Sequence, residues 1–480
     1  MRKLQLLFYV LIFIYYPVFS QNNIGIGTST PHASARMDIS SANSGLLIPR
    51  FPTAAIGTIT SPAKGLMALD TVLNQLMINM GTSSSPNWQT VVFKSGWSLG
   101  GNGSTNPSSQ FMGTTDNQPL RFRINNMQAG ELHPGTGNVF WGLRAGQSNT
   151  TGFNNVAVGK DALKVNTGLS SLIAIGDSAL FSVNGNSSAF PGFGNIAIGS
   201  KALFNTSTGN NNTAVGGLSL YSNTDGTENV AIGPYALNAN TTGNFNVASG
   251  PFALRSNTTG HSNVAIGFYS LYLNTTGSGN VANGYKALYT NSSGSTNTAT
   301  GFESLYSNTE GFRNTATGFQ SLYSNTTGNR NVANGEWALS SNTTGSYNTA
   351  TGAEALRTNS TGEDNVANGS AAMLSNTTGS GNLANGSYAL LFNTTGNYNV
   401  ANGYGSLSHN TTGEFNIAAG VNSLYANTTA GYNVANGYAS LYANIAGAYN
   451  TGCGSWALYG TINSSYNTAV GYNAARNYDM

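Results

Sequence analysis

From Asn138 onward the chain writes one 17-residue phrase over and over, N-h-A-x-G-x-x-(A/S)-L-x-x-N-T-T-G-x-x, where h is apolar or Thr. A fixed short period constrains a fold more tightly than composition does, because every copy must offer the same faces to the copies before and after it. Units start at Asn138, Asn155, Leu172, Asn195 and Asn212, then every 17 residues to Asn467, giving about nineteen full copies and a broken last one. Only the unit at Leu172 is longer, its closing turn enlarged to "NGNSSAFPGFG". The register resumes unchanged at Asn195, so the extra residues belong on an outward loop.

The positions that do not vary report the inside of the unit. Position 3 is Ala in nearly every copy (Ala157, Ala231, Ala316, Ala435), position 5 is Gly, position 8 is Ala or Ser, and position 9 is Leu almost throughout. A helical hairpin needs roughly 30 residues, so the unit is too short for one. Positions 1–5 and 7–10 read instead as two very short strands, bent at the glycine and closed by the turn "SNTTG", where Asn and Gly tolerate positive φ. The fold class expected is all-β, with one repeat forming one coil of a parallel β-solenoid. A lone coil buries one Leu and little else, and at roughly 1.5–3 kcal/mol per large side chain this cannot offset about 1–2 kcal/mol of backbone entropy per residue. Stacking is therefore obligatory, and about twenty coils at ~4.8 Å make a rod of roughly 95 Å. The last copy puts Ala475 where Leu belongs, as a fading terminal coil would.

The remainder of the chain is aperiodic. Residues 1–20, "MRKLQLLFYVLIFIYYPVFS", read as a secretory signal peptide cleaved between Ser20 and Gln21, the alternative being an uncleaved anchor. Residues 21–95 form a small β-rich module with runs such as "GLLIPRF" and "WQTVVF". Residues 96–137 are a Gly/Ser/Asn-rich linker followed by "QPLRFRINNMQAGEL", which alternates like a strand pair, and the solenoid occupies 138–480. Charged residues are only 7%, against about 25% in an ordinary soluble domain, yet no later apolar run approaches the roughly 20 residues of a membrane helix. A net charge of +2 without a basic stripe gives nucleic acid no footprint. The single cysteine, Cys453, excludes an internal disulfide and reads as space filling.

Chemistry is sparse. His32, His133, His261 and His409 fall on variable positions, the carboxylates (Glu310, Glu363, Asp364) do likewise, and no repeated Asp gives a calcium-binding roll. No enzyme, metal or cofactor is expected. Tyrosine follows the repeat leucine in eight copies, Tyr221, Tyr272, Tyr289, Tyr306, Tyr323, Tyr425, Tyr442 and Tyr459, interrupted by residues such as Lys164, Arg255, Ser340, Arg357 and Ser408. With one coil per repeat these rings form a row, which reads as a seam between chains or as a sticky face for sugars and proteins. "TAT" at Thr298/Thr300, Thr315/Thr317 and Thr349/Thr351 suggests an ice-binding face, but "VAN" copies interrupt it. "NTT" matches the N-glycosylation signal, although turn chemistry alone explains it.

The cores "NVAIG" (229–233, 263–267), "NIAIG" (195–199) and "NTAVG" (212–216, 467–471) resemble the head repeats of YadA-like trimeric autotransporter adhesins. That resemblance implies a β-roll, a homotrimer at the Gram-negative cell surface or secreted from it, and attachment to a host or matrix protein or glycan. "NIGIGTSTPHASARMDISSANSGLLIPRF" (23–51), with "GLMALDTVLNQLMIN" and "FMGTTDNQPLRFRINN", looks like the N-terminal part of secreted fibre proteins related to phage tail fibres. Up to Met480 no helical stalk, anchor barrel or chaperone segment follows, so neither resemblance implies how the chain is anchored. The function expected is an exported, non-enzymatic surface fibre or adhesin. The alternative is a monomeric solenoid that binds glycan or ice through a repetitive side face.

Overall fold

The computed structural model describes residues 23–91, 111–184 and 193–477, so the signal segment with Ser20 and Gln21, most of the linker and most of the enlarged turn lie outside the described residues. The chain divides into two compact units, Met1–Met112 and Gly113–Met480.

In the first unit β1 (Ile24–Ile26) pairs in parallel with β2 (Met37–Ile39). A separate sheet has the order β3 (Arg50–Phe51), β4 (Met67–Asp70), β5 (Gln75–Asn79) and β6 (Trp88–Thr90), with one helical turn, α1 (Thr53–Ile56), between β3 and β4. Asp70 shapes the β4–β5 turn: its Oδ1 accepts from the Val72 and Leu73 amides at 2.9 and 3.0 Å and from the Thr53 hydroxyl at 2.9 Å. The core of this unit is slight. Ile56, Pro62 and Ala68 are its buried apolar residues among those described, whereas Leu46, Leu47 and Val72 are 65–69% exposed.

The second unit is the solenoid. The predicted strand pair is the antiparallel hairpin β7 (Leu120–Ile124) and β8 (Met127–His133), and β8 runs antiparallel to the first rung, β9 (Asn138–Trp141). From β9 a parallel ladder continues through β10 (Val156–Val158) to β28 (Thr468–Val470), each three-residue strand pairing with its homologue one repeat away. The longer unit does not disturb this register, since Ile173, Ala174 and Ile175 face Ile196, Ala197 and Ile198. Position 3 Ala and position 9 Leu are fully buried from Ala157 and Leu163 onward. The first rung exchanges sizes: Phe140 replaces Ala at position 3, and its ring fills the room that Gly146 leaves by replacing Leu.

Two expectations are corrected. Each coil has one strand, because positions 7 and 9 are left-handed: Lys286 has φ 54° and Leu288 φ 52°, and the position 9 leucines all lie between 48° and 52°. That conformation reverses successive peptides, so the Lys286 amide donates back to the Phe268 carbonyl while the Leu288 amide donates forward to that of Ser304, both at 3.0 Å. An extended strand cannot follow this path. In "SNTTG", conversely, neither Asn nor Gly has positive φ. At most copies position 15 is glycine, and at Gly328 an added Cβ would press into the Asn325 side-chain oxygen and the Gly345 carbonyl of the next coil, although Leu169, Ala430 and Ser464 hold the position in three coils.

Asn is needed for its amide. Positions 1 and 12 form two buried ladders of carboxamides. Asn314 Nδ2 donates to Asn297 Oδ1 of the previous coil at 3.2 Å and to the Gly328 carbonyl at 2.8 Å, and Asn314 Oδ1 accepts the Asn331 amide at 2.9 Å. Asn325 Nδ2 donates to Asn308 Oδ1 at 2.8 Å and to the Gly328 carbonyl at 3.0 Å. Both protons of such a buried amide are engaged, so the buried "NTT" asparagines of the folded rod, Asn325 among them, offer no acceptor for a glycan. Asn325→Ala strands its partners and is expected to cost about 1–3 kcal/mol in chemical denaturation, whereas Thr327→Ala, at the exposed position 14, is expected to stay within about 0.5 kcal/mol.

Candidate interaction surface

The in-register ladder places each outward side chain directly over its homologue, so aromatic positions become stacks. Tyr272, Tyr289, Tyr306 and Tyr323 stack with centroids 5.2, 5.1 and 5.0 Å apart. Tyr425, Tyr442 and Tyr459 stack at 5.1 Å, and Tyr221 joins Phe204 and Phe181 at 5.3 and 5.0 Å. All eight sequence-predicted tyrosines therefore fall in one column, in three separate stacks. Cations sit at their ends: Lys164 lies over Phe181, Arg255 over Tyr272, and Arg476 over Tyr459. Arg255 also donates to the Tyr272 hydroxyl at 2.6 Å. Because the ring faces are spent on one another, the column offers a partner ring edges and hydroxyls. Burial, reinforced by the neighbouring phenols, pushes the Tyr289 and Tyr442 hydroxyls above the ordinary tyrosine range.

Three further columns escaped the sequence reading. At position 7, Tyr235, Phe252 and Tyr269 stack at 5.2 and 5.1 Å. At position 6, Phe268, Tyr285, Phe302 and Phe319 stack at 6.0, 4.9 and 5.4 Å. At position 17, Tyr398, Phe415, Tyr432, Tyr449 and Tyr466 stack at 5.0–5.2 Å and are 42–78% exposed. Their signal was the same 17-residue spacing, hidden because earlier copies hold other residues at these positions.

The outer face of the strand ladder carries positions 2 and 4. Position 2 is Val, Ile, Leu or Thr in every rung, while position 4 changes from mostly apolar (Ile198, Ile232, Ile266) to mostly Asn or Thr beyond Ile266, with Ala419, Cys453 and Val470 as exceptions. Ile232 and Ile266 are 46% and 43% exposed. The "TAT" threonines lie on this face between "VAN" rungs. Cys453 stands at position 4, half-buried on this outer face.

His133 and His409 are half-buried, and His32 and His261 are exposed. Among the described residues no three His, Cys, Asp or Glu side chains are grouped to hold a metal, and no helix is long and apolar enough to cross a membrane. The strongest ionic cluster lies at the first rungs, where Arg144 donates to both Asp161 oxygens at 2.7 and 2.6 Å and Lys164 lies 3.4 Å away.

Residues 25–106 match the family described as Phage tail like trimerisation region. The match covers the first unit, the one with the slight core and the exposed leucines. No curated protein and no solved structure matches the chain.

Removing a central ring breaks two stacking contacts, so Tyr306→Ser is expected to cost about 1–3 kcal/mol in denaturation, and Tyr459→Ser, with one tyrosine neighbour, about half as much. Burial disfavours the charged form of Asp161, but the Arg144 hydrogen bonds and the nearby Lys164 outweigh it and hold the carboxyl below its usual range. A depressed carboxyl stabilises the fold at neutral pH and loses that contribution as pH falls through its folded value. Acid unfolding of the first rungs, followed by hydrogen exchange, is therefore expected to depend less on pH in Asp161→Asn.

Proposed function

We propose that this chain is an exported, non-enzymatic fibre protein that assembles as a homotrimer and serves in surface attachment. The observation that carries the reading is the coincidence of the trimerisation-region match with a module that leaves Leu46, Leu47 and Val72 in solvent. A unit of this size cannot be held by Ile56, Pro62 and Ala68 alone, and copies of itself supply the missing core. Past the module, the solenoid presents an apolar strand face along its first rungs and aromatic columns beside it. Monomers rarely expose contiguous apolar patches beyond a few hundred Å², so these faces also suit contact between copies. The tyrosine column is the second candidate seam.

The "NVAIG" cores support an attachment role through their resemblance to YadA-like adhesin heads, and the amino-terminal signal-like segment supports export to the cell surface or beyond. A host or matrix protein or glycan is then the partner. An ice-binding monomer is the weaker reading, because Asn283, Asn334 and Asn368 interrupt the threonine rows on the strand face.

Light scattering of the purified protein tests the assembly. The expected mass is three times that of one chain, close to 49.7 kDa each before any signal removal. Leu46→Asp with Leu47→Asp is expected to release monomers whose solenoid circular dichroism is unchanged. A monomeric parent protein would overturn the reading.

A further inference from the structure

Five consecutive rungs lack the ring of position 10, having Ser340, Arg357, Leu374, Leu391 and Ser408 there. In the last of them position 7 is Gly405, so this rung lacks both side chains that cover the same surface elsewhere. A cleft of about 460 Å³ results, within the range of small-molecule sites. Tyr388 of the preceding rung and Tyr404 of the same rung wall one part of it, and Asn422 and Tyr425 of the following rung wall another.

Tyr425 and Tyr442 stack at 5.1 Å, and the interruption of the column at Ser408 leaves a slot beside the free side of Tyr425. The neighbouring His409 closes it only in part, meeting Tyr425 edge-on at 62° rather than stacking on it. The walls combine apolar ring surface with the Ser408 hydroxyl, the Asn422 carboxamide, the His409 imidazole and tyrosine hydroxyls, and no carboxylate or cationic Lys or Arg lines the site. Among the described residues the Asn422 side chain makes no hydrogen bond, although its backbone amide is held by the Tyr404 carbonyl at 2.8 Å. A charged ligand would find no counter-ion. A neutral ring with one apolar face and a hydroxylated rim matches every wall.

We propose that this cleft binds a single pyranose unit of a neutral glycan. This deepens the attachment reading by giving it a ligand class, and it rests on that reading only for its purpose. Binding belongs to one chain and does not require the trimer.

Calorimetric titration of the full chain with methyl glycosides of glucose, galactose and N-acetylglucosamine, and with choline chloride as the cationic probe, tests it. Ser408→Tyr restores the common ring and fills the slot, and is expected to weaken glycoside binding at least tenfold while keeping the parent's thermal unfolding. Ser340→Tyr fills another gap of the same column, where Arg357 already lies over Trp337, and is expected to bind as the parent does. Tyr388→Ser removes a wall and is expected to weaken binding. Glycoside binding that survives Ser408→Tyr, that is lost equally in Ser340→Tyr, or that is absent from the parent overturns the proposal, as does preference for choline. Light scattering of the same samples separates a failed site from a failed trimer.

Discussion

Hydrogen bonding from coil to coil is the constraint on which the solenoid depends. Each strand pairs with its homologue one repeat away, so every side chain stands about 4.8 Å above the same kind of side chain. Repetition of sequence becomes repetition in space. Inside, this makes columns of Ala and Leu and two ladders of Asn; outside, it turns scattered aromatic residues into stacks. A residue type is acceptable only if it can lie against itself, which explains the dearth of charge better than any appeal to solubility. Like charges one coil apart would repel. Where ions do appear at the first rungs, Arg144 faces Asp161 in the next coil rather than another Arg.

The period, the parallel coil and the buried Ala and Leu were legible in the sequence because invariance in a repeat marks what touches the neighbours. The backbone path was not. Leucine is an unusual choice for a left-handed residue, and nothing in its apolar side chain announces that position 9 must reverse a peptide. Such a residue costs on the order of 1–3 kcal/mol, and it persists because the forward amide bond and the full burial of the side chain hold it there in every coil. Asparagine misled in the opposite way. Its reputation for turns suggested positive φ at position 12, whereas the structure uses the side-chain amide, which has the donors and acceptor to bond both within its coil and to the next.

The interaction surface was legible to the same degree. The column of tyrosines after leucine followed from spacing alone, and its rings do stack. That their faces would be consumed did not follow, because ring orientation depends on the distance between coils. The columns at positions 6, 7 and 17 were obscured because each is confined to a few copies and other residues hold the position elsewhere. The cleft beside Ser408 was harder still, since it is defined by two side chains that are small where others are large, and absence has little weight in a search for motifs.

The longer unit at Leu172 shows how local a disturbance stays. It replaces both ladder asparagines, with Leu172 at position 1 and Val183 at position 12, yet the strands on either side keep their pairing. Coils that know only their neighbours can be inserted or deleted whole, and recombination between near-identical repeats in the gene can do this in frame. Each such event would shift the Ser408 cleft relative to the first rung of the solenoid by one coil, without altering a single contact type. Reach thus becomes a heritable quantity that changes in steps of about 4.8 Å, separate from recognition.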